Sequence, residues 1–95
     1  MNLTKMFKVF SDETRVEVFK YLSKGRCCTC EFENKIGVSQ PTLAYHMKMI
    51  KDSGLATTEK VGTWNKYHID NLAIDKMIAF LEGMKLQNLE ECNCK

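Results

Sequence analysis

Ser39-Gln-Pro-Thr-Leu-Ala-Tyr-His-Met-Lys-Met-Ile-Lys51 is the stretch on which the fold turns. Ser39 is a good N-cap, because its hydroxyl can accept from an orphan N–H of the first turn. Pro41 falls in that turn, where a missing N–H does no harm. Leu43, Met47 and Ile50 recur at helical spacing and form a buried stripe. Gln40, Thr42, Ala44, Tyr45 and Lys48 are left facing outward or to the flanks, and Gly54 stops the helix. A capped helix with a polar outer face is what a DNA groove admits.

The flanks agree with this reading. Upstream, a short helix is expected from about Thr29 to Ile36, with Phe32 and Ile36 inward and Gly37-Val38 as the turn. A short helix, a Gly-containing turn and a capped helix make a helix-turn-helix. Downstream the period changes to two. Leu55 to Lys60 and Trp64 to Ile69 read as strands, with Val61-Gly62-Thr63 between them as the wing of a winged helix. Tyr67 and Ile69 alternate onto one face of the second strand, and Trp64, Lys66 and His68 onto the other. Leu3, Met6, Phe7 and Phe10 mark a first helix. Ser11 is expected to cap a second, with Asp12 and Glu13 in its first turn, Val16, Phe19 and Leu22 on its apolar face, and Gly25 at its end. Ile74, Met77, Ile78, Leu81 and Met84 mark a long last helix. The fold expected is mainly α with a β-hairpin wing, a winged helix-turn-helix of order α-α-α-α-β-β-α. Residues 1–89 form the DNA-binding and dimerisation domain, and residues 90–95 a flexible Cys-containing tail.

Length and composition set bounds. The chain has 95 residues, enough for one domain with a modest core that a second subunit could complete. The start has no apolar h-region and no apolar run approaches membrane length, so a cytoplasmic protein with no membrane partner is expected. The net charge is only +2, but between Lys35 and His68 five lysines face two acids. That suits a phosphate-facing surface. Gln40, Thr42 and Tyr45 would meet base edges, and Lys48, Lys51, Lys60 and Lys66 phosphates. Two isolated histidines, no Gly-rich phosphate loop and no nucleophile–base pair argue against an enzyme.

Five cysteines are many for a reducing compartment, and they cluster as Cys27, Cys28, Cys30 and as Cys92, Cys94. Such clusters point to soft-metal binding or redox chemistry. Residues i and i+2 of a regular helix point about 200° apart. Cys28 and Cys30 can therefore grip one atom only if the chain is non-helical at Cys28 or unwinds on binding. A helix start at Cys30, with Arg26 nearby, is expected to favour thiolate. A buried free cysteine is commonly just a small hydrophobe, which is the alternative for Cys27.

Several motifs resemble the ArsR/SmtB family of metal-responsive repressors. They are Phe10-Ser-Asp-Glu-Thr-Arg15, Gly25-Arg-Cys-Cys-Thr-Cys-Glu-Phe32, Ser39 to Lys48, and the wing from Gly62 to Ile69. The likeness is strongest to arsenical-resistance repressors, several of which also end in a Cys-x-Cys like Cys92-Asn-Cys94. It implies a homodimer, built on the first and last helices and bound to near-palindromic double-stranded operator DNA with no cofactor. It also implies a DNA-contact set of Ser39, Gln40, Thr42, Ala44, Tyr45, His46, Lys48 and Lys51, with Lys60 and Lys66 on the wing. Members often carry Ser-His where this chain has Ala44-Tyr45. His46 and His68 read as DNA-proximal or structural, not as metal ligands.

Cys28-Thr-Cys30 matches the family's thiol motif, which implies As(III) or Sb(III) as inducer held by three thiolates. Where some members supply the third ligand, this chain has Glu33. Cys27 and the Cys92/Cys94 pair remain as alternatives for it. Cadmium and lead suit the same donors, and an oxidised thiol pair would be a redox switch on the same fold. A thiol metal-binding protein that never touches DNA is the remote alternative. The carboxylate/His zinc site of other members is expected to be absent, since no histidine follows His68.

Overall fold

A computed structural model describes residues 2–86. The order is α1 (Leu3–Val9), α2 (Glu13–Ser23), a 3-10 turn (Thr29–Glu31), α3 (Glu33–Ile36), α4 (Gln40–Asp52), β1 (Ala56–Val61), β2 (Trp64–Ile69) and α5 (Asn71–Gly83). This is the mainly helical winged arrangement, with one antiparallel hairpin between α4 and α5. The tail expected at 90–95 lies outside the described residues.

One core joins all the helices. Met6 and Val9 of α1, Val18 and Leu22 of α2, Leu43, Met47 and Ile50 of α4, and Ala73 and Met77 of α5 are buried together with Phe32 and Leu55. The α4 stripe is the one its spacing predicts. In α1 the helix ends at Val9, which is buried, while Phe10 becomes the C-cap and lies partly exposed with its ring edge-on to Phe19 at 5.0 Å. In α2 the buried set is Arg15, Val18, Phe19 and Leu22, so Val18 replaces the expected Val16. The stripe rotates to bring Arg15 inside.

The second helix begins one residue later than expected. Asp12, not Ser11, is the N-cap, accepting from the Arg15 N–H at 3.1 Å. Ser11 instead donates its hydroxyl to the Lys8 carbonyl at 2.6 Å. The Arg15 N–H, more than any other group, holds the Asp12 carboxyl below the ordinary carboxylate range, with the positive charge of Arg15 adding to the effect. A lowered folded-state pKa stabilises above the unfolded value, and that stability is lost as pH falls through the folded one. Thermal melts should therefore fall more steeply between pH 5 and pH 2 for the parent chain than for Asp12→Asn. Parallel curves would show that this cap carries no such linkage.

The expected helix from Thr29 to Ile36 is broken. Residues Thr29–Glu31 make a 3-10 turn, and Phe32 (φ −141°, ψ −3°) interrupts it before α3. Tertiary contacts account for the break. Phe32 is buried and stacks on Tyr21 at 5.2 Å with ring planes 6° apart. Ahead of it, the Cys27 carbonyl accepts from the Tyr67 N–H of β2 at 2.8 Å, so the chain arrives extended. Gly37 then turns at φ +76°, where a side chain would be strained, and Ser39 caps α4 as its position predicts. In the hairpin Val61 pairs with Trp64, so the turn shrinks to Gly62-Thr63.

Candidate nucleic-acid interface and thiol site

Helix α4 is oriented by three contacts. Its stripe packs into the core, the Ser39 hydroxyl accepts from the Thr42 N–H at 3.3 Å, and Ser53 seals the far end by donating to the Ile50 carbonyl at 2.6 Å. Gln40, Thr42, Ala44, Lys48 and Lys51 are exposed, and Tyr45 is 58% exposed. Ser39 is exposed but its hydroxyl is engaged, donating to Thr42 Oγ1 at 2.9 Å. Lys48 stands 4.0 Å from Asp52, an exposed pair of little energetic worth that leaves its ammonium available. On the wing Lys60 is exposed and Lys66 half-buried.

His46 is the correction in this set. Expected on the DNA-facing surface, it is only 6% exposed and turned inward. Arg15 Nη1 approaches its Nδ1 at 3.2 Å. A guanidinium only donates, so Nδ1 is the acceptor and the ring proton sits on Nε2. Arg15 also donates from Nε to the Val9 carbonyl at 3.1 Å, from Nη2 to the Lys8 carbonyl at 3.3 Å and from Nη1 to Met49 Sδ at 3.3 Å. One buried cation thus ties the end of α1 to the middle of α4. Sequence reading missed Arg15 as a positioning residue. Its signal was present, since Arg15, Phe19 and Leu22 share one helical stripe.

The thiols divide. Cys28 is extended (φ −110°, ψ 133°) and buried, Cys30 is exposed on the 3-10 turn, and their sulfurs stand 2.7 Å apart. An extended residue followed by a tight turn removes the 200° divergence that a regular helix would impose. Cys27 opens elsewhere, onto a groove of about 550 Å³ with Phe19, Leu22, His68 and Ile74. Cys30 borders a different groove of about 540 Å³, between the turn, α4 and β2. Among the described residues no three His, Cys, Asp or Glu side chains converge on one point. Cys92 and Cys94 lie outside the described residues.

The expectation of an easily formed thiolate at Cys30 is reversed. The hydrogen bond with the Cys28 sulfur pushes its thiol up to about 11, with burial and the negative charges of Cys28, Glu31 and Glu33 adding to the rise. Arg26, expected to help, pairs with Glu31 at 3.7 Å. The three-residue turn is also too short to present a helix dipole.

Trp64 was placed by its alternation on the Lys66 face of the wing but given no role. It is 58% exposed and borders the Cys30 groove with Gln40, Ala44 and Lys48. No helix among the described residues is long and apolar enough to cross a membrane.

Known proteins match this arrangement. The profile of the family described as "Bacterial regulatory protein, arsR family" matches residues 12–58, from the α2 cap into β1. An arsenical resistance operon repressor of Staphylococcus aureus is 36% identical over 93 residues, covering 98% of this chain and 88% of that protein. A homolog of a cadmium resistance transcriptional regulatory protein, also from Staphylococcus aureus, is 32% identical over 94% of this chain and 76% of its own length. The crystal structure of an ArsR family transcriptional regulator superposes with a TM-score of 0.77 at 26% identity, covering 85% of this chain and 84% of that one. The chain therefore belongs to the arsR family of bacterial regulatory proteins, DNA-binding transcription regulators of winged helix-turn-helix fold.

Proposed function

We infer that this chain represses a metal-resistance operon by binding near-palindromic operator DNA as a homodimer, and that As(III) or Sb(III) at Cys28 and Cys30 releases it. The observation that carries this reading is the pair of converging sulfurs at the head of the turn that packs beside α4. Each thiol proton can leave with a hydroxide of arsenous acid as water, so the exchange does not require thiols that ionise easily. The separate groove of Cys27 favours Cys92 or Cys94 as the third sulfur, with residues 1–89 as the domain and 90–95 as the tail that carries it. The dimer is supported by apolar side chains on α5 left exposed, among them Ile78, Phe80, Leu81 and Met84. Phe80 also meets Phe7 of α1 at 5.7 Å, so the two helices share that surface. Two recognition helices related by a dyad would then enter successive major grooves.

Fluorescence anisotropy with operator DNA tests the reading. Arsenite should weaken binding by roughly 5- to 150-fold, the ordinary range of coupling free energies. Binding should also fall steeply with salt. Lys48→Ala with Lys51→Ala should reduce the salt slope by about 2, one for each lost phosphate contact. No salt-dependent affinity at all would mean a thiol protein that does not bind DNA. Release by peroxide but not by arsenite would make the pair a redox switch.

A further inference from the structure

We propose that the groove beside Cys30 seats the carbon substituent of a trivalent organoarsenical, a ligand class that Cys28 and Cys30 hold without a third thiol. The inference rests on the assignment of these two cysteines as the inducer site. Inorganic arsenous acid has three exchangeable oxygens and needs three sulfurs to replace them all. An arsenical with one As–C bond has two. Only two sulfurs converge here, 2.7 Å apart, while Cys27 opens onto another groove. The dithiol geometry is therefore complete for the organic ligand and incomplete for the inorganic one.

The surroundings of Cys30 suit the substituent. Its groove, about 540 Å³, is walled by Leu43, Met47, Tyr67 and the exposed indole of Trp64, with Ala44 leaving one side low. An aryl or alkyl group on arsenic would lie against these apolar and aromatic surfaces, where burial favours it. The chemistry balances. Two S–H protons leave with two hydroxides of R–As(OH)2 as water, two As–S bonds form, two As–O bonds break, and arsenic remains trivalent with its As–C bond intact.

The groove also borders Gln40, Lys48 and Lys51, so an occupant sits on the flank of the expected DNA-reading helix. Trp64 is the chain's one tryptophan, which makes its fluorescence a local reporter.

The test uses phenylarsine oxide and arsenite as probes on the full chain under reducing conditions. In the triple variant Cys27→Ser, Cys92→Ser, Cys94→Ser, phenylarsine oxide should bind one per chain with affinity within threefold of the parent and shift Trp64 emission. Arsenite affinity should fall at least tenfold. Ala44→Trp, an exposed helical position that fills the groove, should cost phenylarsine oxide at least tenfold and leave arsenite within threefold. Equal losses for both probes in the triple variant, an indifferent Ala44→Trp or an unmoved Trp64 signal would each overturn the proposal. Operator release is read separately. Tight phenylarsine oxide binding without release would overturn the repressor reading while leaving the ligand assignment standing.

Discussion

Cys28→Ser combined with Cys30→Ser should collapse the ratio of operator affinities without and with arsenite to about 1. The intact pair should give a ratio of roughly 5 to 150. The expectation follows from the donors. A hydroxyl is a hard ligand and does not replace a thiolate toward a soft metalloid. Cys28 is buried, so a serine there brings a hydroxyl in need of a partner. Cys28→Ala paired with Cys30→Ser separates a folding defect from a loss of ligands, since alanine brings no polar group. The measurement is anisotropy at fixed salt. If arsenite still releases DNA from both double variants, the inducer site lies elsewhere, and the exposed pair at the 3-10 turn is incidental.

Arg15→Met should destabilise the chain by about 3–5 kcal/mol, the usual cost of breaking a buried charged network from one side. Methionine fills much of the space but donates nothing. The Lys8 and Val9 carbonyls at the end of α1 and Nδ1 of His46 would then lose their partner together. For a domain of this size about 1 kcal/mol corresponds to roughly 4–8 °C in melting temperature, so a fall of well over 10 °C is expected. Urea unfolding at fixed protein concentration checks it, because dimer association contributes to the apparent stability. His46→Ala should cost less, about 1–3 kcal/mol, because Arg15 keeps its carbonyl partners. A loss below about 1 kcal/mol for Arg15→Met would show that α1 and α4 are held in register by apolar packing alone.

These two expectations differ in how visible their residues were beforehand. Cys28 and Cys30 stood out because alternate cysteines next to a turn have no ordinary packing purpose. Arg15 lay in a motif already singled out for its resemblance to the family, yet its role was invisible. A buried arginine looks the same as a surface one until the carbonyls and the imidazole that satisfy it are in place. His46 was misassigned for the same reason. It follows Tyr45 on a helix with a polar outer face, and only the packing of α2 against α4 turns it inward.

The sequence by itself determined the local elements whose signals lie within a few residues: the capped helix at Ser39, its stripe of Leu43, Met47 and Ile50, and the hairpin with its glycine turn. Capping, periodicity and turn chemistry are short-range, so they survive without tertiary information. Only the tertiary structure decided what depends on residues far apart in the chain. Phe32 stacking on Tyr21 broke the expected third helix, and the Tyr67 N–H drew in the Cys27 carbonyl. Together they left Cys28 extended, brought its sulfur to Cys30 and sent Cys27 to another groove. Spacing could name the thiols. Which of them meet was set by long-range packing, because a backbone that must satisfy a distant strand and a distant ring cannot also remain a regular helix.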